Sequence, residues 1–98
     1  MTLEDWALFE ADGLSVRSTR DLTLAQEGFI HCSYTDQVEG TLERFYGDLD
    51  DVVVLTLDPE RLDAEVIDEP AEDGTPFPHV YGPLTIGAVV EVVRRRPG

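Results

Sequence analysis

The segment Val52-Val53-Val54-Leu55-Thr56-Leu57 is the strongest strand signal in this chain of 98 residues. It is almost entirely apolar and rich in β-branched side chains, so it predicts a strand that is buried on both faces at the centre of a sheet. Val89-Val90-Glu91-Val92-Val93 predicts the last strand. Shorter strands are expected at 14–16, 29–32 and 64–68, an extended segment at 78–81, and a polar loop at 69–76.

Local signals also mark the ends of helices. Thr2 is placed to cap a first helix, with Asp5 three residues later, and Gly13 is placed to end that helix. A helical turn is expected within 20–25. Asp58 and Pro59 together predict another short turn.

A second helix is predicted after Ser33, which offers a cap, with Thr35 as a competing cap. The apolar positions that follow form one stripe at helical spacing: Val38, Leu42, Phe45 and Tyr46. Gly40 lies inside this helix at a cost of about 1 kcal/mol relative to alanine, which favours a close-packing role.

The order of these elements predicts the fold class. Strands and helices are mixed without regular βαβ alternation. This pattern indicates an α+β fold with a mixed or antiparallel sheet and short helices. The length suits a single domain over residues 1–98.

The charge balance excludes several functions. The chain has 21 acidic residues against seven arginines, a formal net charge of -14, which predicts no binding to nucleic acid. Arg17 and Arg20 are close in sequence, so a local anion site stays open. The lone Cys32 excludes an internal disulfide and fits a cytoplasmic protein. No apolar run approaches the length of a membrane helix, and the N-terminus lacks signal-peptide features.

The first candidate site lies in Gly28-Phe29-Ile30-His31-Cys32-Ser33. Side chains alternate between the faces of a strand, so His31 and Ser33 face outward if Ile30 and Cys32 face the core. His31 and Ser33, beside a helix start that favours anions, then form a ligand-binding patch. The alternative is a structural histidine next to a serine that only caps the helix.

The second candidate site lies in Phe77-Pro78-His79-Val80-Tyr81-Gly82-Pro83-Leu84. His79 and Tyr81 share one face, and the flanking prolines stiffen the backbone. This arrangement favours either a binding site or a rigid crossover in which Tyr81 fills the core. The sequence gives less support to other kinds of site. No strong metal ligands stand at helical spacing, and no Gly-x-Ser-x-Gly motif is present for a serine nucleophile. Cys32 is predicted to be an unreactive packing residue.

These motifs resemble a known family. Gly28 to Ser33, Gln37-Val38, Phe45-Tyr46 and Phe77 to Leu84 are similar to the small bacterial domain-of-unknown-function family 952. The resemblance runs from about Trp6 to Val93. It implies a split sheet related to the ADP-ribosyltransferases, which bind NAD in a cleft. The strand with His31-Cys32-Ser33 is similar to the second motif of these enzymes, a strand that ends in His-x-Ser and lines the nicotinamide side of the cleft.

The chain departs from this family at its start. Members usually begin with a strand that carries a Tyr-His pair, whereas Met1 here leads almost directly into the first helix, so the resemblance implies that the first family strand is absent. An unpaired sheet edge would follow, with a monomer or weak dimer as the expected state. Three glutamates are available for the transferase glutamate, and no motif selects among Glu65, Glu69 and Glu91.

Two functions are therefore expected, and neither settles whether the protein is an enzyme. In the first, the two histidine motifs bind a nucleotide-like or other anionic metabolite. His31 and Ser33 would contact phosphate or ribose, Tyr81 would stack or donate a hydrogen bond, and His79 would orient the ligand or exchange a proton. No cofactor is identified. In the second, the protein is a non-catalytic acidic module that binds a protein partner, and the histidines are structural.

Overall fold

The structure is a computed structural model that describes residues 1–20 and 22–97. Three α-helices are present among these residues: α1 (Leu3–Asp12), α2 (Leu24–Glu27) and α3 (Val38–Tyr46). Short 3-10 turns cover Thr35–Gln37, Pro59–Arg61 and Ile86–Ala88. The strands are β1 (Leu14–Ser15), β2 (Arg17–Thr19), β3 (Leu22–Thr23), β4 (Ile30–His31), β5 (Val52–Leu57), β6 (Val66–Pro70), β7 (Pro76–Val80), β8 (Leu84–Thr85) and β9 (Val89–Arg95).

The strands form four small antiparallel sheets in the described part of the chain. The three-stranded sheet has the order β4-β7-β6, and the others are the pairs β5-β9, β1-β8 and β2-β3. This architecture confirms the predicted α+β class with antiparallel pairing. None of the helices described is long and apolar enough to cross a bilayer.

The core joins α1 to the three-stranded sheet. Phe9 of α1, Ile30 of β4 and Val80 of β7 form one buried cluster with Leu84, and each is at most 4% exposed. Trp6 packs edge-on against Phe9, with ring centroids 5.7 Å apart. Ile30 and Val80 lie opposite each other in the register, so this face of the sheet is apolar and His31 and His79 lie on its other face.

The predicted helix ends are confirmed where the signal is local. The Thr2 hydroxyl oxygen accepts a hydrogen bond from the Asp5 N–H at 3.1 Å, and Gly13 ends α1 with a φ of 76°. The turn expected within 20–25 begins later, as α2, because Leu22–Thr23 form β3; Thr23 caps α2, and Gly28 ends it as predicted. Asp58 caps the 3-10 turn that begins at Pro59.

The prediction that β5 is central in a sheet is wrong. Within the described residues, β5 pairs with β9 on one side only. On its other side it meets the start of the chain, where the Met1 ammonium donates to the Val53 carbonyl at 3.0 Å and the Val53 N–H donates to the Met1 carbonyl at 2.9 Å. The apolar run reflects packing instead, since Leu55 and Leu57 pack against the core cluster.

The predicted loop at 69–76 is also wrong at both ends. Strands β6 and β7 include Pro70 and Pro76, which are opposite each other as the last pair of the hairpin. A proline is tolerated at the end of a ladder because it has no N–H to donate. The turn covers 71–75 and is closed by the Ala71 N–H, which donates to the Thr75 carbonyl at 2.9 Å. The strand predicted at 64–68 accordingly begins two residues later.

The second helix does not begin with a Ser33 or Thr35 cap. A 3-10 turn comes first, and α3 begins at Val38. The Gln37 side chain explains the shift: its amide oxygen accepts from the Tyr34 N–H at 2.9 Å, and its amide nitrogen donates to the Pro76 carbonyl at 2.8 Å. This turn is therefore attached to β7 before the helix starts.

Gly40 does not provide close packing either, and this makes a stabilising substitution available. A Cβ at this exposed position would meet no other atom within 4 Å. Gly40→Ala is therefore expected to raise the free energy of unfolding by up to about 1 kcal/mol, because alanine restricts the unfolded chain and favours a helix. Urea unfolding measures the change. A loss of stability in this variant would contradict the open environment of Gly40.

Candidate functional site

The structure brings the two histidines together across adjacent strands. His31 of β4 lies directly opposite His79 of β7, and their side chains share the face of the sheet away from the core. The His31 Nδ1 and His79 Nε2 atoms are 3.3 Å apart. Residues 48 positions apart in sequence thus form one imidazole pair.

Glu69 extends this pair on the opposite side of His79. It lies on β6 across from Phe77, which places its side chain diagonally beside His79 on the same face. Glu69 Oε1 is 2.9 Å from His79 Nδ1, and the Tyr81 hydroxyl donates a hydrogen bond to the same oxygen. The result is a continuous chain, Tyr81–Glu69–His79–His31, which we call the histidine chain.

Hydrogen bonding keeps Glu69 ionised. The Tyr81 hydroxyl, followed by His79, lowers the pKa of the Glu69 carboxyl below its usual value. The same contact raises the pKa of Tyr81, so that its phenol stays protonated. Glu69 therefore accepts from both neighbours, and His79 Nδ1 carries the hydrogen that it donates.

Aromatic rings hold both imidazoles in place. Phe29 stacks on His79 with ring centroids 3.9 Å apart and an angle of 5° between the planes. The ring centroids of Phe77 and Phe45 lie 5.1 and 6.3 Å from that of His31. The His79 side chain is only 12% exposed. With its two nitrogens in hydrogen bonds and one face stacked, His79 has little room for another partner.

His31 is the end of the histidine chain that lies inside the protein. Its Nε2 atom is buried and makes no hydrogen bond to any residue that the structure describes. Burial, followed by the charge of nearby His79, lowers the pKa of His31 below its usual value. A buried imidazole nitrogen without a partner is unusual, because such atoms normally find one.

Ser33, the fourth predicted site residue, is not part of this chain. Its hydroxyl lies 2.8 Å from the Thr41 hydroxyl of α3. The structure thus joins His31, His79 and Tyr81 and directs Ser33 to the neighbouring helix. Cys32, on the opposite face, packs against the core, and burial raises the pKa of its thiol to about 11. These features agree with the predicted packing role.

The sequence named Glu69 without selecting it and gave Phe29 no role in the site. Glu69 was one of three equivalent glutamates, and its contact with His79 depends on the register of the β6-β7 hairpin. Phe29 was assigned to the face of His31, as observed, but its stacking on His79 depends on strand pairing. Neither contact leaves a local signal in the sequence.

The paired arginines do not form the anion site that the sequence left open. Arg17 contacts Asp5 at 3.4 Å, and Arg20 donates to both carboxylate oxygens of Asp48, at 2.5 and 3.0 Å. A cavity of about 520 Å³ next to them is also lined by carboxylates, Asp50 among them. These contacts compensate the positive charge locally. In the described residues, no cluster of three or more metal-ligand side chains is found.

The lowered pKa of His31 predicts a pH dependence of stability. The folded state binds this proton less tightly than the unfolded state, in which the pKa is near 6.5. The contribution of His31 is therefore fully present well above pH 6.5 and is lost as the pH falls below it. Urea unfolding of the wild type and His31→Phe between pH 8 and 5 measures the difference. Parallel curves for the two proteins would contradict the prediction.

The sequence profile of a family described as "Protein of unknown function (DUF952)" matches residues 1–92 of the chain. The chain belongs to this family. The predicted DUF952 membership is therefore confirmed, while the relation to the ADP-ribosyltransferases, the absent first strand and the state of assembly stay predictions.

Solved structures support the DUF952 fold. The crystal structure of protein CC0527 from Caulobacter crescentus is similar to this chain, with a TM-score of 0.82 and 29% sequence identity, over 96% of this chain and 80% of CC0527. A double mutant of CC0527 gives a TM-score of 0.82 at 28% identity over the same shares. No curated protein matches the chain.

Proposed function

We propose that this DUF952 protein binds a small nucleotide-like molecule at His31, in a site formed by its two histidine motifs. The observation that carries the proposal is the buried His31 Nε2 atom without a partner, at the end of the histidine chain. A ligand atom at this nitrogen would satisfy it. The aromatic rings of Phe45 and Phe77 suit a planar or apolar ligand group beside it.

Ligand entry requires a side chain to move, because His31 Nε2 is buried. Phe45 is the candidate, since it is 42% exposed and packs edge-on near His31 from the end of α3. Rotation of an exposed side chain is fast compared with binding. The site therefore opens without unfolding of the strands.

If the bound molecule reacts, His31 is the residue that exchanges a proton with it. His31 Nε2 would take the proton from the ligand, and its Nδ1–H would stay hydrogen-bonded to His79. Glu69 would balance the positive charge that forms. His79, the acid–base candidate from the sequence, then acts as a positioning residue, because both of its nitrogens already have partners.

A thermal-shift screen tests this proposal with NAD, ADP-ribose, adenosine and mononucleotides. A ligand at 100 times its Kd stabilises the folded state by about 2.7 kcal/mol. His31→Phe keeps an aromatic ring but removes both nitrogens, so it should lose the shift. Tyr34→Phe is the matched control, because it breaks an exposed tyrosine–carboxylate bond to Asp68 on the same sheet and leaves the histidine chain intact.

Two outcomes would contradict the proposal. The first is an equal shift in the wild type and His31→Phe, which would place the ligand elsewhere. The second is no shift with any compound in either the wild type or Tyr34→Phe.

The acidic interaction module is the second candidate, and the surroundings of His79 favour it. A stacked histidine with two hydrogen-bonded nitrogens is also what a purely structural role would require. The net charge of -14 then attracts a basic partner. For this candidate, no compound of the screen binds, whereas a lysine-rich probe peptide binds with an affinity that falls as salt is added.

A further inference from the structure

We propose that the group recognised at His31 is a hydrogen-bond donor, a hydroxyl or N–H, and that a phosphate oxygen is excluded there. This inference rests on the proposed function, because it specifies the chemistry of the same site. It replaces the phosphate contact that the sequence suggested for His31 with a contact to an uncharged, proton-bearing group.

The protonation of Glu69 is fixed by its neighbours. An ionised carboxylate accepts hydrogen bonds and donates none. Glu69 Oε1 lies 2.9 Å from His79 Nδ1, so the hydrogen of this contact belongs to His79. The Tyr81 hydroxyl donates to the same oxygen, which leaves Glu69 as an acceptor for both.

The hydrogen between the two imidazoles belongs to His31. At pH 8, above the usual imidazole range, a neutral ring carries one N–H. Because the hydrogen of His79 is on Nδ1, its Nε2 is a bare acceptor. The contact of 3.3 Å between His79 Nε2 and His31 Nδ1 then requires the hydrogen on His31 Nδ1.

The far nitrogen of His31, Nε2, is left as a hydrogen-bond acceptor. With its single hydrogen on Nδ1, neutral His31 presents a bare lone pair at Nε2, which is buried. A lone pair accepts a hydrogen bond, so a ligand hydroxyl or N–H stabilises it. An unprotonated phosphate oxygen brings a second lone pair and a negative charge to a buried, uncharged nitrogen, and is repelled.

The groups around His31 support this assignment. From β7 it faces His79 and Phe77, and from α3 it faces the ring of Phe45. The charged residue closest along the histidine chain is Glu69, a carboxylate, and the arginines Arg17 and Arg20 are engaged with Asp5 and Asp48. The Arg44 guanidinium lies over the Phe45 ring, 5.4 Å from its centroid, and among the described residues no cation is recorded in contact with His31 itself.

Long-range ¹H–¹⁵N NMR of the ¹⁵N-labelled protein at pH 8 tests the inference, because it distinguishes protonated from bare imidazole nitrogens. We expect both histidines to carry their hydrogen on Nδ1, with signals assigned from His31→Phe. Adenosine, which has hydroxyl and amino donors and no phosphate, should shift the His31 Nε2 signal. Sulfate, a tetrahedral oxyanion that carries no proton at pH 8, should leave it unchanged, and Tyr34→Phe should behave as the wild type.

Each other outcome separates this inference from the proposed function. A hydrogen on His31 Nε2, or a shift of this signal by sulfate, would overturn the requirement for a hydrogen-bond donor while leaving a ligand site at His31. The expected protonation with no shift by adenosine, NAD or ADP-ribose would overturn the proposed function, and the ligand assignment with it.

Discussion

Replacing Phe9 with alanine is expected to lower the free energy of unfolding by about 3–5 kcal/mol, the largest loss among the substitutions considered. Phe9 is 1% exposed and joins α1 to Ile30, Val80 and Leu84 in the core. The variant loses this apolar contact and the edge-on packing with Trp6, and it leaves a cavity. In a domain of this size such a change lowers Tm by well over 10 °C.

Leu8→Ala provides the matched control for this prediction. Leu8 is the preceding residue on α1 and is 58% exposed. Its replacement is expected to change the free energy of unfolding by less than about 0.5 kcal/mol. Urea unfolding of both variants gives the comparison. Similar losses in the two proteins would show that α1 does not present Phe9 to the core as described.

Replacing His79 with alanine is expected to lower the free energy of unfolding by at least about 2 kcal/mol. The variant loses the stacked contact with Phe29, which alone accounts for about 0.5–1.5 kcal/mol. It also leaves a gap, because the His79 side chain that it removes is only 12% exposed. The variant also removes the partner of His31 Nδ1, so this partly buried nitrogen loses its hydrogen bond.

His79→Phe separates these contributions, because it keeps a ring against Phe29 and removes both nitrogens. We expect it to be more stable than His79→Ala. NMR of the same two variants should show an altered His31 imidazole signal in each, because both break the histidine chain. A His79→Ala protein as stable as the wild type would contradict the structural account of this residue.

Local signals in the sequence predicted the parts of the fold that depend on neighbouring residues. Thr2, Gly13 and Asp58 act at the helix and turn ends expected of them, since each makes its contact within a few positions along the chain. The alternation around Ile30 and His31 was also correct, because a strand directs successive side chains to opposite faces whatever it pairs with.

Contacts between distant residues account for the errors. From local signals alone, Ser33 would cap a helix, but its hydroxyl is hydrogen-bonded to that of Thr41. The Gln37 side chain also attaches the 3-10 turn before α3 to β7. The apolar character of β5 indicated burial correctly, but burial does not determine how many strands lie beside it. The composition and spacing of a single sequence do not show which distant residue will contact a given side chain.

The candidate site was predictable only in part for the same reason. Both histidine motifs were found from their sequence, and His79 and Tyr81 were correctly placed on one face. The pairing of His31 with His79 and the choice of Glu69 depend on strand register, which a single sequence does not determine. The proposal that His31, rather than His79, exchanges a proton therefore rests on hydrogen bonds that the sequence does not show.

The rate at which the Cys32 thiol is alkylated provides a measurement of openings of this sheet. Cys32 carries the single thiol of the chain, and its N–H donates to the Pro78 carbonyl at 3.0 Å, between the two histidine strands. With a pKa of about 11, roughly one molecule in a thousand is a thiolate at pH 8, so alkylation in the closed state is slow. We therefore expect labelling to depend mainly on openings that expose this thiol further, and an occupied His31 site to slow it.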